Sequence, residues 1–185
     1  MCTRSVRVSA GLGTIARVVT NGEEIYDHKL TFAEAKERID QIYTPYHDAL
    51  KQLVIQTKAT FGKCILIDCH SMPSTGRPME KDPGSKRVDI VLGNNHGNAC
   101  APELMQFVDE KFTDLGLTVR RNNPYSGGYT TRHYGRPHDG VHALQIEINR
   151  ALYMDEVSIR KHSGFECLVG KITILLNTLA TFQEL

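Results

Sequence analysis

Apolar residues in this chain follow two periods. Between residues 31 and 61, Ala35, Ile39, Ile42, Tyr46, Leu50 and Leu53 recur at steps of three and four, which lays one apolar face along a helix. Thr31 and Glu34 form a T-x-x-E capping box at its start, and Pro45 is expected to bend the helix or split it in two. A short continuous apolar run then predicts a buried strand over 63–69. Residues 71–86 carry Pro73, Gly76, Pro78, Pro83 and Gly84 and are expected to form a mobile loop. A second strand is predicted over 87–94, a helix from Pro102 to a stop at Gly116, and a third strand over 117–122. A long loop over 123–140, a fourth strand over 142–149 and a closing helix over 164–182 complete the pattern. Strands separated by helices or long crossovers indicate an α/β fold, with a mixed, mostly parallel sheet flanked by helices. There is no internal repeat or linker, so residues 1–185 are expected to form one domain.

Composition narrows the partners. Lys plus Arg (22) nearly cancels Asp plus Glu (21), so no basic field invites nucleic acid or an anionic membrane. No apolar run approaches the ~20 residues needed to span a bilayer. The opening stretch MCTRSVRVSAGLG has no apolar h-region, so a cytoplasmic protein without a signal peptide is expected. The five cysteines, Cys2, Cys64, Cys69, Cys100 and Cys167, include no C-x-x-C. They are expected to be reduced thiols, neither a disulfide framework nor a cysteine-based zinc cluster.

Candidate chemistry gathers where strands end. KCILIDCHSMP (63–73) passes abruptly from apolar residues to Asp68, Cys69, His70 and Ser71. In open α/β sheets, ligands bind beyond the carboxyl ends of the strands. A histidine there is either a hydrogen-bonded structural residue or a metal ligand. Asp68, two positions earlier, shares its face and is placed to orient the imidazole. In LQIEINR (144–150), Leu144, Ile146 and Ile148 fill one face of a strand, while Gln145, Glu147 and Asn149 share the other. A buried Glu147 needs either an ion pair, with Arg150 or Arg132, or a catalytic duty. The loop from Asn123 to Gly140 leads directly into that strand. It is either a plain surface excursion or a cover for a small anionic substrate through Tyr125, Tyr129 and Arg132.

The motifs GLGTIARVV, YTPYHDAL, ILIDCHSMP, DIVLGNNHGNAC, NPYSGGY and HALQIEINRALYMDE occur in this order. The chain thereby resembles the N-formylglutamate amidohydrolases over nearly its whole length. That resemblance implies a zinc carboxypeptidase-like α/β fold and hydrolysis of N-formyl-L-glutamate to glutamate and formate, the last step of one histidine-degradation route. It implies that His70 is a zinc ligand, with Asp68 behind it, and that Glu147 is the general acid–base. Arg150, Arg132, Tyr129, Tyr125 and Asn123 become candidates for holding the substrate, a small N-formyl or N-acyl amino acid. The family takes its other two zinc ligands from an upstream segment, a histidine in P-H-S-G and a following acidic residue. This chain has neither motif, so it resembles the C-terminal two-thirds of such an enzyme, lacking the N-terminal part of the fold. Two alternatives follow: a non-catalytic remnant or dicarboxylate-binding protein, and an amidase for other N-acyl amino acids.

Overall fold

A computed structural model describes residues 8, 11–19, 22–78, 80 and 82–183. The expectations for Cys2 and for the opening stretch up to residue 7 lie outside the described residues. Helix α1 (Phe32–Arg38) starts on the Thr31–Glu34 capping box, with both reciprocal hydrogen bonds present. Pro45 does not break the run that follows. A π-helical turn, Ile39–Tyr43, precedes it and leads into α2 (Thr44–Phe61), where Thr44 N–H reaches back to the Ile39 carbonyl. Proline has no N–H and its ring crowds the carbonyl four residues back, so a wider turn at this point relieves both problems.

The expected apolar face of this helix is corrected by the structure. Ile42, Tyr46 and Leu53 are exposed, while Tyr43, His47, Leu50 and Val54 turn inward, with Val54 fully buried. The inward residues also step by four and three, but two of them are Tyr and His, which a count of aliphatic residues passes over.

Strand β1 (Cys64–Met72) runs three residues past the predicted end, so His70 and Ser71 join Asp68 in the strand itself. Then come β2 (Ile90–Gly93), α3 (Pro102–Asp114) and β3 (Val119–Arg121). The predicted loop over 123–140 contains a short helix, α4 (Tyr129–Tyr134), and a 3-10 turn at Pro137–Asp139. Strand β4 (Val141–Asn149), a small hairpin of β5 (Met154–Asp155) and β6 (Arg160–Lys161), and α5 (Gly164–Leu179) complete the described chain. The main sheet has the order β1-β4-β2-β3. β1 and β4 are parallel, as are β2 and β3, and the central β2–β4 pair is antiparallel. The sheet is therefore mixed and mostly parallel, flanked by helices.

The two faces of the sheet differ. On one, Ile90, Leu92, Leu144 and Ile146 join Leu104, Val108 and Phe112 of α3 and Leu175 and Leu179 of α5 in the main core. On the other, Cys64 and Val141 pack with Val54 of α2 and Tyr134 of α4, a smaller cluster confined to the start of the strands. Further along that second face, β1 and β4 present Asp68, His70, Gln145 and Glu147. Apolar packing thus anchors one end of this face and leaves the other for polar groups. Phe112 is fully buried in the main core, so Phe112→Ala is expected to cost about 3–5 kcal/mol. The check is urea unfolding, where the midpoint falls while the slope stays unchanged.

Candidate active site

The parallel register sets His70 beside Glu147 and Asp68 beside Gln145. Glu147 is only 7% exposed and makes no ion pair among the described residues. Its side-chain hydrogen bond comes instead from Gln145, whose Nε2 donates to Glu147 Oε1 at 2.9 Å. Gln145 is in turn fixed by the Gly128 N–H, which donates to its Oε1 at 2.6 Å. Burial pushes the Glu147 carboxyl above its ordinary range, and Asp68 adds to the rise. His70, Arg87 and Arg150 work against it without cancelling it. The ion pair considered from sequence is thus replaced by a neutral amide, which fixes the carboxylate without lowering its basicity as a bonded cation would. Next to it, His70 Nε2 lies 3.1 Å from Asp68 Oδ1. Asp68 Oδ2 is buried with no hydrogen-bond partner, an arrangement whose cost a ligand would relieve.

Two segments cover this end of the sheet. The stretch between β1 and β2 is organised by Arg87, whose side chain is 2% exposed. Arg87 Nη2 donates to Glu80 at 2.6 Å and to Asp82 at 2.7 Å, and its Nη1 donates to the Tyr125 hydroxyl at 2.7 Å. The Tyr125 hydroxyl in turn donates a hydrogen bond to Glu80 at 2.6 Å. Asn149, at the end of β4, donates to the carbonyls of Arg87 and Val88. This segment, expected to be a mobile loop, is held by a buried guanidinium that sequence reasoning did not single out. The Arg87 fork binding two acids at steps of five and seven residues gave no sequence signal beyond its charges.

The second cover is the stretch from Asn123 to Gly128. It crosses β2 at Gly93, where an added β-carbon would meet Gly127 N at 2.6 Å and Ser126 C at 2.8 Å. Only glycine permits that approach. Asn123 and Pro124 border a hollow of about 220 Å3 shared with Arg87, Val91 and Arg120. Tyr129 is half exposed and packs on His133 and His47, beside Tyr43. Arg132 is exposed and donates to the Gly127 carbonyl at 3.3 Å. Arg150 reaches across to the end of β1, donating to Ser71 Oγ at 3.2 Å. Of the seven other sequence-proposed residues, Asp68, His70, Tyr125 and Arg150 share an electrostatic neighbourhood with Glu147. Asn123 sits on the second covering stretch, whereas Tyr129 and Arg132 lie on α4, where Tyr129 packs on His47 and His133.

A sequence profile of the N-formylglutamate amidohydrolase family matches residues 2–154. The chain belongs to that family. It is 32% identical over 152 residues to an N-formylglutamate deformylase of Pseudomonas aeruginosa and 33% identical over 150 residues to one of Pseudomonas putida. These matches cover 80% of this chain but 56% and 55% of the two relatives, so the chain spans just over half the length of each. The crystal structure of an N-formylglutamate amidohydrolase from Ralstonia eutropha JMP134 superposes with a TM-score of 0.86 at 35% identity. That superposition covers 96% of this chain and 64% of the neighbour.

The zinc implied by the family resemblance needs more donors than the described residues bring together. His70, Asp68 and Glu147 converge, yet among the described residues no group of three or more His, Cys, Asp or Glu is placed to hold a metal ion. A catalytic zinc takes three protein ligands, so this donor set does not complete one.

The Arg87 clamp has a pH consequence. Burial alone would raise the Glu80 carboxyl, but bonds from the Arg77 N–H, Tyr125 and Arg87 outweigh it and hold Glu80 below its ordinary 4.5. Asp82 is held below its ordinary 3.8, chiefly by its hydrogen bond from Arg87. Carboxylates lowered by folding stabilise above their unfolded values, and that contribution is lost as pH falls through the folded ones. Acidification below 4.5 and then 3.8 is therefore expected to release residues 74–87 before the main core. Hydrogen exchange by segment checks this: protection there should drop ahead of β4, and Arg87→Met should remove the pH dependence.

Proposed function

We propose that the polypeptide to which these residues belong hydrolyses the amide of N-formyl-L-glutamate, releasing formate and L-glutamate, with Glu147 as general acid–base. The observation that carries the reading is a buried carboxylate with a raised pKa and, among the described residues, no cation bonded to it, at the carboxyl end of two strands. Such a group accepts a proton near neutral pH more readily than an ordinary carboxylate, and tuning of this kind is what general-base catalysis requires. Water gives its proton to Glu147 while its oxygen bonds to the formyl carbon. Cleavage of the carbon–nitrogen bond then returns the proton to the departing amine. The curated relatives bear the name N-formylglutamate deformylase, which supports formyl as the acyl group over larger ones.

Substrate carboxylates are assigned to Arg150 and Arg132, since guanidinium groups grip carboxylates through paired donors. Tyr129, at the start of α4, and Asn123, on the covering stretch, are assigned as further contacts. Tyr125, already bonded to both Arg87 and Glu80, is assigned to the shape of the pocket. His70 is proposed as one ligand of a zinc ion and Asp68 as the group that orients it. The remaining ligands would come from outside the described residues. The reaction would fall at the end of histidine degradation. No helix among the described residues is long and apolar enough to cross a membrane, and the free thiols of Cys64 and Cys100 fit the reducing cytoplasm.

The test is formate release from N-formyl-L-glutamate by the intact polypeptide and its Glu147→Gln variant. Glu147→Gln is expected to lower turnover by about 10²–10⁴-fold with zinc content unchanged, whereas His70→Ala should lower zinc content itself. Wild-type turnover in Glu147→Gln would remove this residue from the chemistry. Binding of the dicarboxylate without any formate release by the wild type would favour the binding-protein alternative.

A further inference from the structure

Helix α4 has six residues, well below the ~12 at which an isolated helix begins to hold itself in water. Its position is therefore set by what its ends are tied to. One end is tied to the candidate site, since the Gly128 N–H donates to Gln145, which donates to Glu147. The other end is tied to α2 through Tyr134 and His47. We propose that His47 is a positioning residue for Glu147, acting through Tyr134, α4 and the Gly128 N–H. This rests on the assignment of Glu147 as the acid–base, although the coupling itself can be measured without turnover.

The geometry makes His47 the hub between the two helices. The Tyr134 ring is buried in the small cluster at the start of β1 and β4, and its hydroxyl donates to the His47 carbonyl at 3.1 Å. The same hydroxyl lies 2.8 Å from His47 Nδ1. A phenol has one hydrogen to give, and here the carbonyl takes it, so Nδ1 carries a proton and donates to the hydroxyl oxygen. His47 thus grips Tyr134 through its backbone and its side chain together. The imidazole also lies nearly parallel to the Tyr134 ring, with centroids 5.8 Å apart, and meets Tyr129 and His133 edge-on at 5.3 and 6.3 Å. Tyr129 and His133 stack on each other at 4.9 Å. Among the described residues, the one ring contact to α4 from this side that bypasses His47 is that of Tyr43 with Tyr129. Thr131 is buried on α4, but its hydroxyl has no hydrogen-bond partner among the described residues and adds no polar tie. From Tyr134 to Tyr129 the helix rises only about 8 Å, so the setting of Tyr134 is carried to Gly128 by fewer than two turns.

The contact also carries a charge condition. The titratable groups facing the ring are Tyr43 in the π-helical turn, Tyr46 and Asp48 on α2, and Tyr129, His133 and Tyr134 on α4. Burial, with His133 adding to it, holds His47 below its ordinary 6.5, and Asp48 opposes this without cancelling it. A base lowered by folding stabilises fully above its unfolded value, and that contribution is lost as pH falls through the folded one. Acidification below 6.5 is therefore expected to loosen α4 from α2. That window opens above the one in which the Arg87 clamp releases.

The experiment is NMR on the intact polypeptide, reading exchange at the Gly128 amide and titration of the Glu147 carboxyl carbon. The wild type is compared with His47→Phe, Tyr134→Phe and His47→Asn. The two phenylalanine variants keep a ring in place and remove side-chain hydrogen bonds between the helices. Each is expected to speed Gly128 exchange by about tenfold and to shift the Glu147 titration, with amides of the main core unchanged. Asparagine can set its side-chain N–H where Nδ1 stood, so His47→Asn is expected to restore slow exchange. Having no imidazole, it should also lose the wild-type loss of Gly128 protection below pH 6.5. In formate release, His47→Phe should lower kcat and leave KM unchanged. A wild type that releases no formate would remove the acid–base reading, with the coupling still decided at Gly128. Unchanged Gly128 exchange and Glu147 titration in His47→Phe, or faster exchange throughout the main core, would overturn the inference.

Discussion

The candidate site depends on how a buried carboxylate is kept in place with no counter-ion bonded to it among the described residues. Glu147 is desolvated by its position in a central strand, and desolvation alone would favour either protonation or movement toward water. Gln145 prevents the movement. Its amide donates to Glu147 and accepts from the Gly128 N–H, so one neutral side chain couples the carboxylate to the covering loop. A cation in the same place would have bound more strongly and made the carboxylate a weaker base. The loop can reach Gln145 only because Gly93 lacks a side chain where residues 126–127 cross β2.

The second face of the sheet shows how the fold separates stability from chemistry. Near the start of β1 and β4 it is closed by α2 and α4 through Val54 and Tyr134. Toward the other end the same two strands carry Asp68, His70, Gln145 and Glu147, covered by loops that are held through polar contacts. Arg87 serves those loops as Phe112 serves the core, since each is almost fully buried and each gathers elements distant in sequence. Because the covering loops are held by charges and hydrogen bonds, they respond to pH while the aliphatic core does not.

Much of this was legible in the sequence, and the failures have definite causes. The strand carrying Glu147 was readable because Leu144, Ile146 and Ile148 alternate with Gln145, Glu147 and Asn149, and the structure buries both sets in the expected sense, Ile148 only partly. The capping box at Thr31 and the helix beginning at Pro102 were likewise local signals with local consequences. The inward face of α2 was misread because two of its four packing residues, Tyr43 and His47, are polar enough to look like surface. The end of β1 was placed too early because polar residues were taken to stop a strand, when a sheet face can be polar at one end. Arg87 was missed because its acids Glu80 and Asp82 lie seven and five residues away in a loop with no periodic pattern, and Tyr125 lies 38 residues away. The convergence of His70 and Glu147 is likewise a product of register, which pairing within the sheet decides.

The geometry of the site rests most directly on the bridge from Gly128 through Gln145 to Glu147. The measurement that tests it is hydrogen exchange at the Gly128 amide, resolved by NMR, in the wild type and in Gln145→Met, which keeps the buried volume but removes the acceptor. Loss of one such hydrogen bond is expected to speed exchange at Gly128 by about tenfold, with amides of the main core unchanged. Equal exchange rates at Gly128 in the two proteins would contradict the bridge and the role given to Gln145.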